Sequence, residues 1–328
     1  MRFVIVAISF LISVYCVPYY QQPIFAPVVQ LNNGNTMPIV GLGTYSSLGG
    51  QCEQAVKDAI DVGYRHIDTA YLYGNEKEVG NAVRAKIAEG VIRREDIFIT
   101  TKLWNTFHEP DQVPFAFQKS LDNLGLGYID LFLMHSPESY HRIAKAGLTH
   151  APQSIEDIEL FPKDASGRVL TSNVDFIDTW KAMEQLMSSG LVRSIGVSNF
   201  EIPQIQRLES VAQIKPVVNQ IECHPNKNQR PTIDYCSSRG IAVTAYSPLG
   251  KPHEAHGKQI AIKDPNVQII AARYNKQPAQ VILRYTVQNG ALVIPKSTHK
   301  ERIAANIDIF DFELDAHEME YLNSLNGQ

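Results

Sequence analysis

Cysteine is scarce in this chain, with four among 328 residues, too few for a disulfide scaffold. Cys223 falls in an apolar strand-like run and Cys236 in a helix-like one, where buried thiols sit. Basic blocks are missing as well: 34 acidic residues face 30 basic ones, a net charge of -4 with no cationic cluster. A nucleic-acid partner therefore has no electrostatic basis. No residue set has metal-ligand spacing. His253 and His256 form an H-x-x-H pair without a third ligand, and His141 and His150 are distant within one loop, so no metal centre is expected. No Asn-x-Ser/Thr sequon occurs, so no glycan argument bears on export. What is present is ordinary globular composition, 44% hydrophobic and 20% charged, which excludes disorder and allows a large core.

The chain opens with Arg2 and an uncharged apolar run from Phe3 to Val14. So short a run cannot cross a bilayer core of roughly 30 Å as a helix. With Cys16 preceding Val17-Pro18, residues 1–16 read as a secretory signal peptide cleaved after Cys16, the alternative being a retained anchor. Cleavage would leave Cys52, Cys223 and Cys236, an odd set. Residues 17–27 read as a proline-rich extended tail, and 28–328 as the folded domain. The chain is therefore expected to be secreted and off the membrane after cleavage. The endoplasmic reticulum lumen is the alternative, although SLNGQ bears no retention signal.

Eight strand-like runs follow: Ile39–Gly43, His66–Asp68, Ile97–Lys102, Ile129–His135, Ser194–Ser198, Val217–Glu222, Ile241–Tyr246 and Ala291–Pro295. Helix-period segments alternate with them, at Gln51–Val62, Glu76–Glu89, Gln112–Leu124, Asp175–Ser188, Pro231–Ser238 and Pro278–Gln288. Most strands follow one another at a spacing that suits one helix and two short loops, and eight such units close as a parallel (β/α)8 barrel. Two wider gaps mark insertions, at Ser136–Asn173 and at Pro248–Ile262 with an extra helix after it. Before the first unit, VVQLNNGNTMPIV reads as a hairpin able to plug the barrel bottom. A doubly wound dinucleotide fold would need G-x-G-x-x-G after its first strand. Here Gly41-Leu42-Gly43 runs into Thr44, Tyr45 and Ser46, and the third glycine is missing.

Chemistry in such a barrel sits on the loops after the strands. Asp68, Lys102 and His135 end three consecutive strands, and Tyr73 follows Asp68 in DTAYLYGNE. Singly, each has a bland reading as a helix cap, a solvated charge or a core histidine. Together they form a proton-delivery device. A tyrosine of ordinary pKa about 10 is a poor acid at neutral pH. A buried lysine beside it stabilises the phenolate and lowers that pKa, while an aspartate keeps the lysine charged. A histidine can orient a carbonyl oxygen as hydride reaches its carbon.

At these residues the chain resembles the aldo-keto reductase family, through DTAYLYGNE, TKLW, LMHSP, GVSNF, NQIECHP, AYSPLG and IPKST in order from about residue 28 to the end. Within the family it is similar to the hydroxysteroid dehydrogenases and insect 3-dehydroecdysteroid reductases. The resemblance implies a barrel that binds NADP(H) in extended form, with Asp68, Tyr73, Lys102 and His135 as catalytic tetrad and Tyr73 as general acid. It implies cofactor contacts at Gly43, Thr44 and Asp68, carboxamide contacts at Ser198, Asn199 and Gln220, and a nicotinamide stacking face on Tyr246. Ser247 and Leu249 match its pyrophosphate loop. Lys296, Ser297, Thr298 and Arg302 match its 2′-phosphate site, whose cations favour NADP(H) over NAD(H). Asn306 matches an adenine contact, while Ala305 stands where the family usually has Glu, so a weaker adenine contact is expected.

Substrate contacts by the same resemblance are Tyr45, Leu72, Tyr73, Trp104, His135 and Ser136. Family members acting on small aldehydes often have Trp where this chain has Tyr45 and Ser136, so a wide pocket is expected. These features imply a monomeric reductase of a small-molecule carbonyl, above all a bulky ketone such as a 3-oxo steroid or ecdysteroid. A broad detoxifying aldehyde or carbonyl reductase is the alternative, and a non-catalytic binding protein on the same fold the third reading.

Overall fold

A computed structural model describes residues 23–47, 49–147, 154–250 and 260–327. The expected signal peptide, the first part of the tail, and His150, His253 and His256 lie outside those residues.

The hairpin forms between β1 (Val28–Gln30) and β2 (Thr36–Pro38), antiparallel, with Val28 opposite Pro38. Its turn needs the positive φ of 88° at Gly34, a conformation open to glycine without a side-chain clash. Leu31 and Met37 are buried against Phe98, Leu131, Val218 and Leu292, which sit at or near the starts of barrel strands. The hairpin thus plugs the barrel bottom. Ahead of it, Ile24 donates its N–H to Val62 O at 3.1 Å and packs on the core.

The barrel strands are β3 (Leu42–Gly43), β4 (His66–Asp68), β5 (Phe98–Leu103), β6 (Leu131–Met134), β7 (Ile195–Ser198), β8 (Val218–Glu222), β9 (Ala242–Tyr246) and β10 (Ala291–Val293). Each pairs in parallel with its sequence neighbour. All eight expected runs form strands. The first is shorter than expected because Ile39 to Gly41 pair with the last strand instead: Val293 N–H bonds Ile39 O and Gly41 N–H bonds Val293 O, both at 2.9 Å. With Gly43 N–H on Pro295 O at 3.1 Å, these bonds close the ring. A Cβ at Gly43 would lie 2.8 Å from Ile294 O, so closure requires glycine there.

The helices are α1 (Gln51–Asp61), α2 (Glu76–Ala88), α3 (Val113–Leu124), α4 (Phe176–Leu186), α5 (Ile202–Glu209), α6 (Arg230–Ser238), α7 (Pro265–Arg273), α8 (Pro278–Gln288), α9 (Lys300–Ile307) and α10 (Ala316–Ser324). The six helix-period segments all appear, and α7 is the extra helix. Asp175 caps α4 by accepting from Ile177 N–H at 3.0 Å. Helix α5 was not legible: it is short and buries only Ile205 and Leu208, too few positions to set a period. No helix among the described residues is long and apolar enough to cross a membrane.

Candidate active site

The strands deliver their polar ends to one point at the top of the barrel. Asp68 is the last residue of β4, and Lys102 the penultimate residue of β5. His135 directly follows β6, and Tyr73 closes the single 3-10 turn Tyr71–Tyr73 after β4. The lysine side chain is fully enclosed. Its ammonium donates to Asp68 Oδ1 at 2.6 Å, to Thr69 O at 2.9 Å and to the Tyr73 hydroxyl at 3.2 Å. Three protons meet three acceptors, so the charge is held without a free donor. Asp68 Oδ2 is engaged too, accepting from Gln220 Nε2 at 2.7 Å. The His135 ring stands edge-on to Tyr73, with centroids 5.8 Å apart, and to Trp104 at 5.1 Å.

The electrostatics differ from the sequence expectation in one respect. Burial raises the Tyr73 pKa above its ordinary 10, and the pull of Lys102 opposes that rise without overcoming it. The lysine was expected to lower this pKa, but desolvation of the half-buried phenol is the larger effect. For Lys102 itself, burial works against the charge, yet Asp68 and Tyr73 lift its pKa above 10.5, so it stays an ammonium. Burial, with Lys102 and His108 nearby, holds His135 well below 6.5, so its ring is neutral near pH 7. A neutral imidazole can donate a hydrogen bond to an oxygen but has no spare proton to transfer. Tyr73 is left as the one proton source of the four.

Next to this cluster lie the residues expected to hold a nicotinamide. Asn199, at a left-handed φ of 61°, donates Nδ2–H to His135 O at 2.9 Å and accepts from the Tyr246 hydroxyl at 2.9 Å. Ser198 Oγ donates to Gln220 O at 2.8 Å. The Tyr246 ring is part-exposed, and a flat apolar face beside amide groups suits a flat heterocycle that carries a carboxamide. Thr44 is buried and donates both N–H and Oγ–H to Asp68 O at 3.0 Å, which ties the loop after β3 to the tetrad. Ser247, at a φ of 48°, and Leu249 follow β9. At the far end, Lys296 and Arg302 are exposed beside Ser297, Thr298 and the start of α9. Neither cation forms an ion pair among the described residues. Two free cations at a helix N-terminus fit a phosphate dianion.

The sequence profile of the aldo/keto reductase family matches residues 39–327. The chain is 45% identical over 302 residues to aldo-keto reductase family 1 member A1-A of Danio rerio, covering 91% of this chain and 89% of that one. It is 43% identical over 305 residues to the Homo sapiens family 1 member A1, covering 92% and 90%. It superposes on the aldose reductase of Schistosoma japonicum with a TM-score of 0.83 at 42% identity, covering 92% and 93%. On a Bombyx mori aldo-keto reductase in complex with NADP the TM-score is 0.81 at 42% identity, covering 93% and 94%. The chain belongs to the aldo/keto reductase family.

Of the residues expected at the substrate mouth of this reductase, Tyr45 stands beside Tyr73, Trp104 beside His135, Ser136 directly after His135, and Leu72 packs against the core. Tyr45 is 62% exposed, with its ring edge-on to Tyr73 at 5.1 Å, so it forms an exposed rim rather than a packed wall. Ser136 accepts a hydrogen bond from Asn105 Nδ2 at 2.7 Å. Sequence reasoning missed the aromatic wall behind it. The insertion folds back so that Leu160 O accepts from Trp104 Nε1 at 2.7 Å, with Phe161 edge-on to Trp104 at 5.1 Å and Tyr140 at 5.8 Å. Asn75 was missed too. Its Nδ2 donates to Thr44 O at 2.8 Å and Ser47 O at 3.0 Å, and its Oδ1 accepts from Thr69 Oγ1 at 2.9 Å, pinning the loop after β3. Its place in YGNE was a usable signal.

Proposed function

We propose that this reductase converts a carbonyl to an alcohol with NADPH, and that Tyr73, Lys102, Asp68 and His135 carry the proton chemistry. The observation behind the reading is the enclosed Lys102 ammonium bridging Asp68 and the half-buried Tyr73 hydroxyl. When bound, the cofactor supplies hydride to the carbonyl carbon. His135 then holds the carbonyl oxygen through Nε2–H, and Tyr73 gives that oxygen its phenolic proton. Lys102 stabilises the phenolate left behind, and solvent returns the proton. A phenol whose pKa is raised still suffices, since an alkoxide is a far stronger base than a phenolate. The free cations Lys296 and Arg302 support the phosphorylated cofactor over NADH.

The substrate we propose is a bulky apolar ketone such as a 3-oxo steroid or ecdysteroid. Ser136 and the exposed Tyr45 leave room beside the tetrad, and Trp104 offers an apolar face. Small aldehydes are a second reading, favoured by Phe161 and Tyr140 crowding Trp104. We further propose export, on the strength of the apolar run at 3–14, which N-terminal sequencing of the mature protein checks.

Purified protein assayed with NADPH and NADH against ketosteroids and small aldehydes tests the whole reading. Ketosteroid turnover with NADPH is expected, and turnover of aldehydes alone removes the steroid assignment. Tyr73→Phe should abolish reduction while cofactor still binds, and unchanged activity removes the catalytic one.

A further inference from the structure

Buried polar atoms need partners, because an unpaired one forfeits the hydrogen bonds that water gave it. Among the described residues, ten enclosed side-chain nitrogens and oxygens have no partner in the protein. Five of those ten belong to the turn after β5 and to His135, whose chain neighbour Ser136 that turn bonds. They are Asn105 Oδ1, Thr106 Oγ1, both ring nitrogens of His108, and His135 Nδ1. Three of the residues belong to the turn after β5, the fourth is the tetrad histidine, and Asn105 is anchored to Ser136 beside His135.

His108 is fully enclosed, its carbonyl accepting from Thr179 Oγ1 at 2.7 Å, so the turn is fixed from behind. Burial pushes its pKa down to about 3, and protonated His108 would repel protonated His135. A neutral His108 carries one N–H donor and one bare acceptor. His135 Nδ1 is enclosed and without a protein partner, whereas Nε2 is not enclosed in that way.

We propose that this cluster is a built site for ordered water, and that His108 is a positioning residue for the reaction. The inference rests on the role assigned to His135 above. Water held by His108, Thr106 and Asn105 donates a hydrogen bond to His135 Nδ1. That keeps Nδ1 bare and puts the proton on Nε2, where the carbonyl oxygen must be met. The polarity of the cluster suits water: a buried water makes two to four hydrogen bonds, and five enclosed protein atoms can take part. No residue in the site changes charge. The device selects a tautomer and aims a ring.

The test is nitrogen-15 NMR of histidine-labelled native protein, with His135→Asn and His108→Leu to assign the two rings. In the native protein His135 is expected with Nε2 protonated and Nδ1 accepting. A proton on Nδ1 would overturn the proposal, whether or not any variant folds. His108→Leu should give a mixture of His135 tautomers and lower kcat/KM at least about tenfold, the scale on which a misaimed orienting group costs rate. His108→Gln, which keeps a donor and an acceptor, should recover most of both. A folded His108→Leu with the native tautomer and native kinetics also overturns it. Should His135→Asn stay fully active while the native tautomer is as expected, the catalytic role fails and the water site stands.

Discussion

Gln220 donates Nε2–H to Asp68 Oδ2 at 2.7 Å, so a residue of the expected carboxamide site also holds the carboxylate under Lys102. The expected cofactor pocket and the proposed proton relay therefore share one hydrogen-bonded chain. Removing the amide leaves a buried carboxylate oxygen without its donor, a loss of about 1–3 kcal/mol. Gln220→Leu should weaken NADPH binding and lower kcat together. Binding titration and steady-state kinetics check this, and a loss confined to affinity would break the coupling.

The raised Tyr73 pKa sets the direction of the pH profile. In the proposed reaction reduction uses the protonated phenol, so its rate should stay level through neutral pH and fall only at alkaline pH, beyond the ordinary tyrosine value. Alcohol oxidation needs the phenolate and should rise with pH across the same range. Lys102→Met removes the opposing cation, so the alkaline fall in reduction should move higher and oxidation should weaken further. Paired pH–rate profiles decide it; coincident profiles for the two directions would exclude Tyr73 as the shared acid and base.

Much of this site was readable because its parts lie in short strand-end strings. Asp68, Lys102 and His135 end short strand-like runs, that before His135, Leu131–Met134, being apolar throughout, and all three runs are buried strands. The direction of the Tyr73 shift was not readable, since the burial penalty depends on how the mouth closes over the phenol. Nor was the contact of Phe161 with Trp104: Phe161 reaches that ring from the long loop after β6, whose return path no periodicity encodes. The role of Asn75 hid for a related reason, because its three partners come from the loops after β3 and β4 and none is its helical neighbour.

Acid should destabilise the fold through its neutral histidines. Burial depresses His66 to about 4 and His108 to about 3, with His135 also well below 6.5. The unfolded chain takes up protons near pH 6.5 and the folded one does not. Their stability contribution is thus whole above pH 6.5 and declines as pH falls toward the folded values. Each histidine costs on the order of 1.4 kcal/mol per pH unit in that window. Urea unfolding at pH 7 and pH 5 measures the loss, and His108→Gln should reduce it.

The free cations at the start of α9 should discriminate between cofactors. Lys296→Ala and Arg302→Ala each remove one charge from the proposed phosphate site and nothing from the nicotinamide end. NADPH affinity should fall about tenfold for each, the equivalent of ~1.4 kcal/mol, with NADH affinity unchanged. Equal losses for the two cofactors would move the phosphate site elsewhere.

Phe161 tests how the insertion shapes the mouth. Its ring covers one edge of Trp104 yet is 43% exposed, so it belongs to the rim and not to the core. Truncation should leave folding intact and open space next to His135. Phe161→Ala is expected to raise the ratio of kcat/KM for a ketosteroid over a small aldehyde by about tenfold, the scale that a few apolar contacts give in a pocket. The ratio is the informative quantity, because damage to the tetrad would depress both substrates alike. A ratio that stays fixed, or moves toward the aldehyde, would mean that Phe161 grips the large ligand instead of obstructing it.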